Sequence, residues 1–173
     1  MSESASTTSH RAAAAGRAAR CAVVIVSDSR TEETDESGPL AMRLIEAAGH
    51  SIVHRTLLPN DEARVRSEVT SLAARDDVDF ILLSGGTGLG ARDRTIEAVR
   101  PLLEKELPGF GELFRWVSFQ EQVGTAAMLS RALAGAARGK LVVSLPGSKA
   151  AVDLALTRIL LPELNHLLNE LRR

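Results

Sequence analysis

The chain has 173 residues, 45% of them apolar and 25% charged, with a formal net charge of −1. That length suits one domain with a sizeable core, and the even charge balance gives no electrostatic reason to expect nucleic acid or an anionic membrane as partner. Aromatics are only 3%, so the core must be Ala, Leu, Val and Ile, and the lone Cys21 excludes an intrachain disulfide and a Cys-rich metal site.

Residues 1–20 are mostly Ser, Thr, Ala and Arg, with one acid, Glu3, and no large apolar side chain after Met1. So little burial cannot repay ordering, and a flexible tail is expected. It has no apolar core for a secretory signal, no stretch of the chain is apolar enough to span a bilayer, and a cytoplasmic setting is expected. From Cys21 to Val26 the run is apolar and mostly β-branched, a first central strand with Cys21 as a small core residue and not a nucleophile. Ser27-Asp28-Ser29-Arg30 ends it, and a polar loop continues to Gly38. Pro39 suits a first helical turn. Leu40, Leu44, Ile45 and Ala48 then make an apolar helical face up to Gly49, a C-terminal stop. A second strand is expected near 50–58. Pro59-Asn60-Asp61-Glu62 follows as a turn with an N-cap candidate and early acids, opening a helix near 62–74 with Val65, Val69 and Leu72 on one side.

The third strand, 80–83, stops at Ser84 and gives way to Gly85, Gly86, Gly88 and Gly90. A short continuous apolar run reads as a strand buried on both faces. Glycines after it let the backbone turn sharply and bring N–H groups close to a ligand. The helix start after Thr95 adds free N–H groups and a positive dipole end. Such a place holds phosphate. Asp93 repels that ligand unless a cation lies between them, so a Mg²⁺–nucleotide site is the first reading. Two others stay open. Gly86-Thr87-Gly88-Leu89-Gly90-Ala91 fits the dinucleotide pattern G-x-G-x-x-G/A, although Arg92-Asp93-Arg94 delays the helix and the loop follows the third strand. A plain structural turn is the other. No Gly-Lys-Ser/Thr completes a Walker loop and no Gly-x-Ser-x-Gly elbow is present.

Beyond Thr95 a short helix runs to Arg100 and Pro101 begins a new turn. Residues 102–107 continue as helix, and Pro108-Gly109 closes it. Phe110 and Phe114 recur at helical spacing, and with Trp116 are expected to pack internally. Residues 130–139 are Ala-rich and helical by propensity. Leu141-Val142-Val143-Ser144-Leu145 is a further strand, ended by Pro146-Gly147-Ser148. Ser148 N-caps a long amphipathic helix restarted at Pro162, and its turn is a second possible anion site. The alternation of strand and helix means parallel pairing with right-handed crossovers, and ligands in such sheets sit beyond the carboxyl ends of the strands.

Asp61 and Asp93 each stand at a strand outlet. As a pair they can hold Mg²⁺, or one can hold metal while the other orients a reacting group; alternatively Asp61 only caps its helix. Arg92, Arg94 and Lys149 are candidates to neutralise phosphate. His10, His50, His54 and His166 are scattered and read as non-catalytic.

Several of these stretches occur together and in order: Ser27-Asp28-Ser29-Arg30, Asp35-x-Ser37-Gly38, Gly49-His50, Asp61-Glu62, Ser84-Gly85-Gly86-Thr87-Gly88 with Arg92-Asp93-x-Thr95, Pro108-Gly109-Phe110-Gly111-Glu112-x-Phe114-Arg115, Ser130-Arg131-Ala132 and Leu145-Pro146-Gly147-Ser148. They resemble the MoaB/Mog family of molybdenum-cofactor biosynthesis proteins, over nearly everything after residue 20. The resemblance implies a MoaB/Mog-like domain over 21–173, a three-layer α/β sandwich around a mainly parallel sheet, assembled as a homotrimer or homohexamer. It implies molybdopterin adenylyltransferase activity, in which molybdopterin and Mg·ATP give adenylylated molybdopterin and pyrophosphate. The molybdate-inserting enzyme of the pathway becomes an expected partner. By the same resemblance Asp61 and Asp93 are catalytic and hold Mg²⁺. Nucleotide and pterin would meet Ser27, Asp28, Ser84, Gly85, Gly86, Thr87, Gly88, Arg92, Thr95, Pro146, Gly147 and Ser148. It also implies an extended segment within 130–139, against propensity. Arg94, where the family commonly has valine, and Asn60 depart from the pattern. A non-catalytic pterin-binding scaffold is the alternative from another class, and a nicotinamide dehydrogenase a distant third.

Overall fold

The computed structural model describes residues 17–173. Residues 1–16 of the expected tail lie outside the described residues. The order that follows starts earlier than expected: Ala19 is buried, and the first strand, β1, spans Arg20–Val26. Helix α1 is Ser37–Ala47, β2 Ser51–Leu58, α2 Glu62–Ala73, β3 Phe80–Ser84 and α3 Thr95–Val99. After a 3₁₀ turn at Arg100–Leu102 come β4 at Lys105–Glu106 and α4 at Pro108–Ser118. Irregular π and 3₁₀ turns lead to β5, Leu133–Ala137, and β6, Lys140–Leu145. Helix α5, Lys149–Leu154, passes through a π-helical stretch, Ala155–Leu160, into α6, Leu161–Leu171.

The six strands lie in the order β2-β1-β3-β6-β5-β4. The four strands from β2 to β6 pair parallel. The last two join antiparallel. The sheet is mostly parallel, with helices on both sides. Alternation along the central strands fixes the layers. Cys21, Val23 and Ile25 face α1, α4, α5 and α6, packing with Ile45, Phe110, Phe114 and Leu160. Ala22, Val24 and Val26 face α2 and α3, packing with Val65, Val69, Leu72 and Val99. Strands buried on both faces are what the apolar runs implied, and Cys21 is indeed core: burial pushes its thiol up to about 12.

Four expectations change. Residues 133–137 form a strand despite Ala-rich composition. Propensity differences there are tenths of a kcal/mol per residue, less than what β5 gains by pairing with β6 and burying all five residues. The helix expected over 102–107 does not form: Leu102 ends the 3₁₀ turn, and Leu107 N–H donates to the Ala134 carbonyl at 2.7 Å, so the stretch after it is recruited to the sheet edge. Pro108 therefore opens α4 instead of closing a helix, the first-turn position where its missing N–H costs nothing. Trp116 does not pack inside; it is 61% exposed and stacks on Phe119 at 6.3 Å.

At the amino end of the sheet Asp79 is a clasp. Its side chain, 8% exposed, accepts from the Arg20 N–H and Nε, each at 2.9 Å, and from Arg172 Nη2 at 3.0 Å. It binds the start of β1 to the end of the last helix.

Candidate functional site

Strands β1, β3 and β6 run parallel and in register, so their carboxyl ends finish side by side. The loops that leave them enclose a cavity of about 520 Å³. Two glycines let those loops come so close. Gly85 has φ +110°, and a Cβ there would lie 2.1 Å from the Val26 carbonyl oxygen of β1. Gly86 has φ +62°, and its Cβ would collide with Asn60 Oδ1 and Thr95 Oγ1, each at 2.4 Å. Neither position admits a side chain. The glycine loop is thus pressed between the other strand outlets.

Asp93 lies across this loop. Its Oδ2 accepts the Gly90 N–H at 3.1 Å, and a Cβ at Gly88 or Gly90 would meet that oxygen at 2.7 or 2.8 Å. The alternating glycines therefore make room for the carboxylate of the loop's own aspartate, a role besides approach to a phosphate. Oδ1 of Asp93 takes no hydrogen bond among the described residues, and Asp93 lines the cavity.

Asp28 ties the loops together. Its Oδ1 accepts the Asn60 N–H at 3.0 Å, its Oδ2 accepts Asn60 Nδ2 at 3.2 Å, and Arg92 Nε lies 2.8 Å from Oδ2. The Asn60 N–H first, and then Arg92, hold its carboxyl below the usual range. The first, second and third strand outlets are fastened here.

Of the residues expected at the site, Ser27, Asp28, Ser84, Gly85, Gly86, Thr87, Gly88, Asp93, Pro146, Gly147 and Ser148 line this one cavity. Three do not. Asp61 sits exposed at the start of α2 and caps it, Oδ1 accepting the Arg64 N–H at 2.9 Å. Thr95 is buried behind Gly86. Arg92 is spent on Asp28. Arg94 turns away from the cavity and binds Glu62 Oε2 through Nε at 3.1 Å and Nη2 at 2.9 Å. Lys149 stands 3.6 Å from Glu36. The cavity also has lining residues not expected there, among them Arg30, Ser37, Asn60 and Ser130. All four stand inside or beside the quoted motifs, so the signal was present without a spacing rule to turn it inward.

Among the described residues no group of three or more His, Cys, Asp and Glu side chains could hold a metal ion. Mg²⁺ does not need one, since it commonly takes one or two carboxylates and completes its shell with water and substrate phosphate. The donors present fit that pattern. Asp93 Oδ1 is free, and Asn60 Oδ1 is buried beside the loop without a hydrogen-bond partner, a state that costs energy unless something binds it.

The family described as a probable molybdopterin binding domain matches residues 22–166. Molybdenum cofactor biosynthesis protein B of Halalkalibacterium halodurans is 49% identical over 157 residues, covering 91% of this chain and 92% of that protein. The protein of the same name from Bacillus subtilis is 46% identical over 154 residues, covering 89% and 91%. A crystal structure of a molybdenum cofactor biosynthesis protein B superposes with a TM-score of 0.89 at 47% identity, over 92% of this chain and 99% of that one. The tungsten cofactor synthesizing protein MoaB from Pyrococcus furiosus gives a TM-score of 0.82 at 37% identity, over 92% and 100%.

Proposed function

The chain belongs to the molybdopterin-binding-domain family of molybdenum cofactor biosynthesis proteins, and from that premise we propose that it is a molybdopterin adenylyltransferase. In the proposed reaction a phosphate oxygen of molybdopterin attacks the α-phosphorus of ATP. The bond from that phosphorus to the α,β-bridging oxygen breaks, and pyrophosphate leaves with its electron pair. The observation that carries the reading is Asp93, fixed by one oxygen to the Gly90 N–H and offering the other to a cavity floored by the glycine loop. A carboxylate held this way favours a metal–phosphate ligand over a bare anion.

The chain's own residues supply position and charge, which is where most phosphoryl-transfer catalysis lies. Backbone at residues 85–88 meets the phosphates, and Arg30 offers a cation on the same wall. Ser148, capping α5 through the Ala151 N–H at 3.1 Å, borders the pocket with Pro146 and Gly147. Asp93 and Asn60 are the residues that would hold Mg²⁺, with Asp61 as an outer carboxylate. When bound with nucleotide, Mg²⁺ neutralises charge on the phosphate oxygens. The exposed apolar strip Leu113, Trp116, Phe119, Val123 and Met128 fits the proposed homotrimer or homohexamer.

The test is incubation with molybdopterin and Mg·ATP and detection of the adenylylated pterin by mass. Asp93→Asn is expected to keep the fold and lose product; near-normal turnover in that variant would refute the assignment. Asp61→Asn separates cap from catalyst, because Asn caps a helix about as well as Asp. Lost turnover at unchanged stability assigns its carboxylate to the reaction, whereas unchanged turnover leaves Asp61 a cap. Pterin binding without product in the unaltered protein would instead favour the scaffold reading.

A further inference from the structure

Next to the glycine-loop cavity, and sharing Ser130 with it, is a second recess of about 240 Å³. Three arginines line it, Arg100, Arg115 and Arg131, with Ile96 and Met128 closing the sides. Guanidinium groups around so small a space repel one another unless anions offset them. Two are offset. Glu97 takes both arms of Arg131 at 2.8 and 2.9 Å, and Glu106 accepts from Arg100 Nε at 2.9 Å.

Arg115 is not. Among the described residues its side chain has no hydrogen bond and no ion pair, although the residue is only partly exposed. Its head group is nonetheless placed with little slack. A Cβ at Gly111, one helical turn earlier, would meet Arg115 Nη1 at 3.1 Å and the Ala132 carbonyl oxygen at 3.0 Å. The glycine lets the guanidinium fold back over α4 and into the recess. One positive charge and a full set of donors therefore stand uncompensated in a polar hollow. Its Arg131 wall also reaches the glycine loop, through Nε to the Thr87 carbonyl at 2.9 Å.

From this juxtaposition we propose that the recess is an anion site for a tetrahedral phosphate group, bound by Arg115 with Arg100 and Arg131 beside it. The planar fork of a guanidinium matches two phosphate oxygens at once. The phosphate is either free or carried by a ligand that extends from the adjoining cavity. The site does not depend on adenylyl transfer taking place.

Calorimetric titration with sodium phosphate at constant ionic strength, on the unaltered protein, Arg115→Ala and Arg115→Lys, tests this. Phosphate is expected to bind the unaltered protein about tenfold or more tightly than Arg115→Ala, the scale of one charge-assisted contact. Arg115→Lys should recover part of that, and equal melting temperatures report that the fold is kept. Repeating the titration with saturating ATP separates the sources. Arg115-dependent phosphate binding beside ATP identifies free phosphate. Blockage by ATP, with Arg115→Ala weakening ATP more than AMP, identifies a ligand-borne group. Unchanged phosphate affinity in both variants overturns the proposal. So does a changed assembly size with unchanged phosphate affinity, which would assign Arg115 to a subunit contact. None of these readouts is turnover, so failure of the adenylyltransferase reading would leave them untouched.

Discussion

Asp79 shows how one side chain makes stability depend on pH. Burial raises the carboxyl's pKa, but hydrogen bonds from Arg20 and Arg172 outweigh it and hold the group well below the usual carboxylate range. A carboxyl depressed in the folded state stabilises the fold fully above its unfolded value, about 4. That contribution is lost as pH falls through the folded value. Urea unfolding at a series of pH values is therefore expected to show stability falling below about pH 4, with a shallower fall in Asp79→Asn. At pH 7 that variant is expected to be less stable by roughly 3 kcal/mol, because it leaves two guanidinium groups short of their acceptor. None of this was legible in the sequence. Asp79 is one of three aspartates within 76–79, and Arg172 is 93 residues away from it. Arg94 is the opposite lesson. From sequence it is a cation beside the phosphate loop, and in the fold it is held by Glu62.

Among the elements, the parallel half of the sheet was legible; of the antiparallel edge only an extended segment within 130–139 was, through resemblance, while β4 falls in a stretch expected as helix. β1, β3 and β6 announce themselves as short continuous apolar runs, buried on both faces. β5 does not, since Leu-Ala-Gly-Ala-Ala has helical composition, and only its neighbours make it a strand. The turn that joins it to β6 carries a cost. Arg138 adopts φ +50° and Gly139 φ +73°, the paired left-handed conformation of a tight hairpin. Arginine is poorly suited to that region, whereas asparagine enters it readily. Arg138→Asn is expected to stabilise the protein by about 0.5 to 1 kcal/mol, read as a higher midpoint in urea at unchanged slope. The helix expected to run on from Ser148 is also interrupted, by the π-helical stretch before Pro162. Proline removes one backbone donor there, and the wider turn precedes it.

For the whole molecule, the cavity was legible because it follows from topology: ligands collect where parallel strands end. The layer of side chains around it was less so, since Asn60, Ser37 and Ser130 become lining only once the loops have folded over. Of the aromatics expected inside, Phe110 and Phe114 are buried and Trp116 is not, because sequence spacing alone does not say which helix face the sheet covers. If the exposed strip around Trp116 is the self-association surface, Trp116→Asp is expected to reduce the assembly from three or six copies of the 18.5 kDa chain toward the monomer. Light scattering across a concentration series decides it, and an unchanged mass would remove the strip from the interface.

Arg131 stands in the wall between two hollows, with its arms on Glu97 and its Nε on the Thr87 carbonyl. A group that draws the guanidinium toward the recess also pulls on the glycine loop. By thermodynamic reciprocity, any change this makes in affinity at one hollow appears as the same factor at the other. Occupancy of either would then be readable from the opposite side of a single arginine.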